Sequence, residues 1–299
     1  MDLLQKFKPI LYLHNKELTT PMNLDEQISK SELCVGGKLK EVRKCCGPPI
    51  QVRENRKILC PKGKIILPLE KKYDIPGRYL NYVADIPKPC PNTINNVPFY
   101  CKVIEHDDYI DLVYIFNYCY NNCFRWMDIY LTGEHQADIE NVRIRINKEG
   151  TKITNMYFSA HGGDQCRWAH YNNIEWAKYG IRPIVYVAKG SHANYPSSGT
   201  WWRIFGFAND KTENGIKWFP DNLVNLEDRS DLVNFSGPLG NSGCSIGGTW
   251  ENTAPLNQCP SFCFRFFYPV SEKVVRVIKW IKTRKCFQKE YKEYEPSLN

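Results

Sequence analysis

A mainly β fold, an antiparallel β-sandwich, is what three features of this sequence predict. Aromatic and β-branched residues collect in short runs such as "VPFYCKVI" (97–104) and "YIDLVYIFNY" (109–118), and both classes favour pleated, half-buried backbone. "NVRIRI" alternates strictly, with Val142, Ile144 and Ile146 set against Arg143 and Arg145, the period of a strand with one dry and one wet face. Residues 34–98 and the stretch from Trp201 to Phe262 are rich in glycine and proline, which leaves no room for long helices there. At 299 residues there is enough chain for a sizeable core, and the expected organisation is one domain over 1–299.

Taken in order, the apolar run "PILYL" opens the chain and ends in a polar turn around His14 to Glu17. "NLDEQISKSEL" (23–33) follows, with an asparagine suited to an N-cap and apolar Leu24, Ile28 and Leu33, so a short N-terminal helix is expected there. Residues 34–96 hold so many glycines and prolines that only a loop-rich insert without long elements is expected. The β core is placed over about 97–267. Its first two strands meet at a polar turn over 106–108, and "NVRIRI" returns through "NKEG" (147–150) into "TKITNMYFSA". "PIVYVA" (183–188) reads as a strand covered on both faces. Beyond Trp201 the chain is turn-rich, and over about 271–292 Val274, Val275, Ile278 and Ile281 repeat as one face of an amphipathic basic helix capped by Ser271.

The formal net charge of +8 is concentrated towards the ends, in residues 38–72 and in the tail. Such charge suits an anionic surface or a protein partner met through the C-terminal helix. No spacing of a nucleic-acid reader accompanies it, so nucleic acid is not an expected partner. Lys6 and Lys8 interrupt what would have to be the apolar core of a signal peptide, and no run is long and apolar enough for a membrane span, so a soluble, cytoplasmic or virion-associated protein is expected. The cysteines number thirteen, an odd count; Cys119/Cys123 and Cys259/Cys263 are spaced looser than most zinc knuckles, which favours buried free thiols first, some disulfides next and a zinc site last.

Chemistry concentrates at strand ends. Three of the six histidines fall there: His135 in "GEHQADIE", His161 in "FSAHGGD" and His192 in "KGSHANYP". Folding the hairpin about 147–150 pairs positions whose numbers sum to 297 or 298, which sets Asp138 opposite Ser159 or Ala160 and brings His161 beside it. Asp138 and Glu140 share parity with Val142, so both carboxylates point inward and need partners. If "PIVYVA" joins that same sheet, Gly190 and Ala193 let the following turn deliver His192 to the site. The set fits either a structural polar network or a divalent metal such as zinc held by His135, His161 and His192, with Asp138 and Glu140 as catalytic carboxylates. Trp201 and Trp202, with Tyr195, form a candidate ligand-stacking surface beside it.

These residues resemble those of the vacuolar protein sorting-associated protein 62 family. "FKPILYLHNKELTTPMNLDEQI" is similar to that family's opening, "VPFYCKVIEHDDYIDLVYIFNYCYN" to its paired strands, and "GEHQADIENVRIRI" to its H-x-G-D-W-E signature, with His135, Asp138 and Glu140 retained. "YFSAHGGD" and "PIVYVAKGSHANYPSSGT" match its later histidine motifs. Ala137 stands where the family has glycine and Ile139 where it has tryptophan. The resemblance implies a family feature in the histidine and carboxylate set but supplies no reaction. Two readings stay open: a binding or sorting-associated protein, and a metal-dependent hydrolase or lyase working at the sandwich rim.

Overall fold

The computed structural model describes residues 2–42, 50–66, 75–122, 125–126, 129–130, 135–160, 167–177, 182–202, 209–233, 235 and 237–241. The N-terminal part holds α1 (Asp2–Lys6), β1 (Ile10–Leu13), α2 (Leu24–Ser29), β2 (Ser31–Val35), β3 (Lys38–Val42), β4 (Ile50–Glu54), β5 (Lys57–Cys60) and β6 (Arg78–Tyr82). The central part holds β7 (Phe99–Glu105), β8 (Tyr109–Asn121), β9 (Arg125–Trp126), β10 (Ile129–Tyr130), β11 (His135–Asn147), β12 (Ile153–Phe158) and β13 (Arg167–His170). After it come β14 (Ile184–Val187), β15 (Asn194–Tyr195), β16 (Gly199–Trp201), β17 (Asp210–Thr212), β18 (Ile216–Trp218), β19 (Leu223–Asn225) and α3 (Ser230–Val233).

The fold is mainly β. A six-stranded sheet in the order β13-β12-β11-β8-β7-β19 packs against a four-stranded sheet in the order β15-β14-β1-β18. Leu112, Tyr114, Phe116, Val142, Ile144, Ile146, Met156 and Phe158 of the first meet Leu11, Leu13, Val185, Val187 and Trp218 of the second in one buried cluster. Each such side chain contributes about 1.5–3 kcal/mol on leaving water. Trp218 stands edge-on to Phe99 across the two sheets, ring centroids 4.7 Å apart, and fills the gap between them. The opposite face of β8 is covered too: Val113 and Ile115 pack on Leu24, Ile28, Leu33, Leu80 and Leu226. That is why "YIDLVYIFNY" is apolar at nearly every position instead of alternating.

Several expectations need amending. The sheets are mixed, because β1 pairs β14 in parallel (Tyr12 beside Tyr186) and β19 pairs β7 in parallel. "PIVYVA" therefore lies in the four-stranded sheet, facing the carboxylate-bearing strand across the core and not beside it. The β11–β12 hairpin pairs Val142 with Phe158 and Ile144 with Met156, sums of 300 in place of 297 or 298. Six residues, not four, lie between the last paired positions, Ile146 and Ile153, and an irregularity between Arg145 and Ile146 shifts the pairing by one more residue. Asn141, not Asp138, thus meets Ser159, whose N–H donates to Asn141 O at 3.1 Å.

The short N-terminal helix stands as read at its start: Asn23 Oδ1 accepts from Asp25 N–H at 2.8 Å. It stops at Ser29, and Leu33 belongs to β2, because residues 31–35 gain a full ladder with β6. Among its described residues the insert holds strands no longer than five residues, in keeping with its proline content. Residues 242–299, and with them the expected C-terminal helix, lie outside the described residues. Among the described residues no helix is long and apolar enough to cross a membrane. Cys34, Cys60, Cys101 and Cys119 are buried free thiols and Cys90 an exposed one.

Candidate functional site

At one end of the sandwich four buried ionisable residues, Glu17, Asp138, Glu140 and His192, gather where the two sheets meet. The end of β8 supplies Tyr118, the start of β11 supplies Asp138 and Glu140, the loop after β1 supplies Glu17, and the turn between β14 and β15 supplies His192. That turn is held tightly by Ala188 N–H to Ala193 O at 2.8 Å and His192 N–H to Ala188 O at 3.0 Å. Gly190 sits at φ +77° and His192 itself at φ +53°, a left-handed conformation uncommon for a residue with a side chain. The small residues of "KGSHANYP" do serve to present this histidine: Gly190 N–H donates to Glu17 Oε2 at 2.7 Å, and a Cβ on Gly190 would touch Asn122.

His192 is wholly buried. Its ring lies flat on that of Tyr118, centroids 3.8 Å apart and planes within 4°, and its two nitrogens face two carboxylates. Nδ1 is 2.8 Å from Asp138 Oδ2, a hydrogen bond, while Nε2 is 3.6 Å from Glu17 Oε1, an ion contact. Burial alone would lower the imidazole pKa, but the Glu17 and Asp138 carboxylates outweigh it and push it up to about 9. Glu17 runs the other way. Burial would raise its carboxyl, yet the His192 charge and the backbone N–H groups of Gly190 and Leu18 hold it below the usual carboxylate range. The Tyr118 hydroxyl is driven well above its ordinary pKa by burial and then by Glu17, Asp138 and Glu140.

Glu140 is served separately. Ser159 donates its hydroxyl to Glu140 Oε2, and its oxygen accepts from Asn141 N–H at 3.0 Å and from Asn194 Nδ2 at 3.1 Å, which uses the whole capacity of that hydroxyl. Asn194 N–H also reaches Ser159 O at 2.7 Å, so the β14–β15 turn is stitched to the end of β12 across the two sheets. His192 Nε2, Asp138 Oδ1, Asn141 Oδ1, Asn194 Oδ1 and the Tyr118 hydroxyl are buried with no hydrogen-bond partner. His135 stands apart: Nδ1 donates to Ala137 O at 2.8 Å and Nε2 accepts from Asn121 Nδ2 at 2.9 Å, which fixes the tautomer and occupies both nitrogens. His161 lies outside the described residues. Among the described residues no three His, Cys, Asp or Glu side chains converge as a metal cluster.

The aromatic surface divides. Tyr195 is buried and donates to Asp210 Oδ2 at 2.6 Å, and Asp210 also accepts from Ser191 Oγ at 2.9 Å. Trp201 stacks on Tyr195 at 4.5 Å, while Trp202 beside it is 79% exposed. Of the site residues the sequence points to, Asp138, Glu140 and His192 come together here, while Glu17 and Tyr118 are not among them. Tyr118 continues the parity of Leu112, Tyr114 and Phe116, a signal that was present; Glu17 sits in a turn, where no period places a side chain.

Residues 107–219 match the family model of vacuolar protein sorting-associated protein 62. That segment, 113 of the 299 residues, is similar to this family. It contains Tyr118, Asp138, Glu140, Ser159 and His192, while Glu17 reaches the site from outside it. No curated protein matches the chain. Among solved structures, necrosis and ethylene inducing protein 2 from the causal agent of cocoa's witches' broom disease is 14% identical, with 79% of this chain and 81% of that one covered and a TM-score of 0.38. The protein NLPPya in complex with mannosamine is 14% identical over 80% of this chain and 81% of its own, also at 0.38. The non-toxic HaNLP3 protein is 14% identical over 76% and 74%, at 0.36. Likeness at that level says nothing about a site or a ligand.

Proposed function

We propose that the protein is a binding protein in which the Glu17–His192–Asp138 assembly is scaffold, and that its ligand meets the outer rim around Trp202. The burial of His192 between two carboxylates carries this reading. The two carboxylates favour the doubly protonated ring, a form with no lone pair to offer a metal or a substrate's proton, and the side chain has no exposed surface through which to meet either. The assembly instead ties the loop after β1, the start of β11 and the β14–β15 turn to one another. Trp201 and Tyr195 brace the hairpin that carries Trp202, an indole whose exposure has a cost that a ligand would remove.

Elemental mass spectrometry of the native protein, beside a His192→Ala variant shown by circular dichroism to be folded, tests it. The expected result is no stoichiometric divalent metal in either, with the variant less stable. About one equivalent in the native protein, lost from the folded variant, would overturn the reading in favour of the metal-dependent hydrolase or lyase.

A further inference from the structure

We propose that residues 57–66, a basic and isoleucine-bearing corner of the insert, dock the protein on an anionic phospholipid surface. This goes beyond the rim reading and is independent of it. The segment "KILCPKGKII" begins as β5, which pairs β2 at the edge of the three-stranded sheet β5-β2-β6. Cys60 is buried among Leu33 and Leu80, with Leu59 and Ile65 partly buried against the same cluster, so the corner is rooted in the core. Between those roots the chain turns at Pro61 to Lys64, where Lys64 N–H donates to Pro61 O at 3.1 Å and Gly63 takes φ +74°. A glycine at that position of a proline-led turn gives it a fixed shape.

What the turn presents is uniform in sign. Lys57, Lys62 and Lys64 are all exposed, and no acidic residue occurs between Glu54 and Glu70. Arg56, also in this stretch, is already engaged by Glu32 at 3.2 Å and belongs to the fold. Beside the lysines Ile58 is 48% and Ile66 72% exposed, the latter the most exposed aliphatic side chain among the large hydrophobics of the described residues. Branched aliphatic side chains held in water next to ammonium groups are costly unless something covers them. An anionic bilayer covers both: the isoleucines enter the headgroup boundary while the lysine stems lie along it with their charges at the phosphates. Nucleic acid would reward arginines and stacking rings, and the exposed residues of this corner are lysines and isoleucines.

Co-sedimentation of the full chain with vesicles of phosphatidylcholine alone, and of phosphatidylcholine doped with phosphatidylserine, reads the proposal directly. The native protein is expected on the doped vesicles only, and to leave them between about 0.15 M and about 1 M salt. Each lysine near the surface is worth roughly fivefold in partitioning, so Lys57→Gln with Lys62→Gln and Lys64→Gln should cost roughly a hundredfold. Ile58→Ser with Ile66→Ser should weaken binding at least several-fold at constant charge. Both variants change exposed side chains, and an unchanged melting temperature verifies their folding. A third variant, Lys279→Gln with Lys282→Gln and Lys285→Gln, separates the basic tail. The proposal fails if the native protein ignores both vesicles, if only the tail variant loses binding, or if a duplex oligonucleotide is bound through these lysines while vesicles are not.

Discussion

Replacing His192 with alanine should be among the most damaging single changes in the described residues, and the structure says how the damage divides. Glu17 would lose its ion contact but keep the N–H groups of Gly190 at 2.7 Å and Leu18 at 2.7 Å. Asp138 would lose the 2.8 Å bond to Nδ1, and its other oxygen already has no hydrogen-bond partner. A buried carboxylate stripped of its cation costs about 3–5 kcal/mol, and the void against the Tyr118 ring adds to it. For a chain of this size that is a fall of roughly 6–15 °C in melting temperature. The assay is urea unfolding followed by tryptophan fluorescence, with His192→Ala and the double change His192→Ala, Asp138→Asn side by side. Neutralising Asp138 should recover a good part of the loss, because the uncompensated charge is the larger contribution. A loss under about 1 kcal/mol for the single variant, or no recovery in the double, would refute the ion-pair account.

Further expectations follow from the same geometry. Because the folded His192 pKa lies above its ordinary value of 6.5, at about 9, its contribution is complete below 6.5 and is lost as pH rises through 9, by about 3 kcal/mol; Glu17, whose pKa is lowered, contributes above its ordinary range and loses that contribution in acid. Stability measured against pH should therefore peak in weak acid and fall on both sides, and a curve still rising from neutrality to pH 9 would contradict the assignment. Trp202→Ala should leave the melting temperature within about 2 °C, whereas Trp201→Ala should lower it clearly, since Trp201 stacks on Tyr195 and its indole N–H donates to Thr212 Oγ1 at 3.2 Å. Asp111→Asn should cost about 2–4 kcal/mol in urea unfolding, because that buried carboxylate accepts from Arg145 Nε at 2.9 Å and Nη2 at 3.2 Å. Ala137→Gly should stabilise by up to about 1 kcal/mol: Ala137 is held at φ +58°, where glycine is unstrained, and the buried methyl it gives up offsets part of the gain.

That last position shows how sequence and structure inform each other. The family resemblance marked Ala137 as a departure from glycine, and its left-handed backbone supplies the physical reason a glycine suits the place. Local features were legible for local reasons: the Asn23 cap, the "NKEG" turn with Gly150 at φ +67° and the inward parity of Asp138 and Glu140 each need only a few neighbouring residues. Pairings that depend on the whole chain were not legible. β1 and β14 align in parallel although more than 170 residues separate Leu13 from Val187, and nothing within either run specifies its partner. The difference of two to three residues in the β11–β12 register comes from one extended turn and one irregularity, which move every downstream pairing together. His192 was reached for the right reason, a small-residue turn, but from the opposite sheet.

The claim on which the rest depends is that His192 is a buried imidazolium. Heteronuclear NMR of the histidine ring nitrogens reads it without a substitution. The account predicts that at neutral pH both nitrogens of His192 carry a proton in slow exchange with water, and that one is lost only near pH 9. A single neutral tautomer at neutral pH, with Nε2 bare and able to ligate a metal or accept a proton, would contradict it and return the site to chemistry.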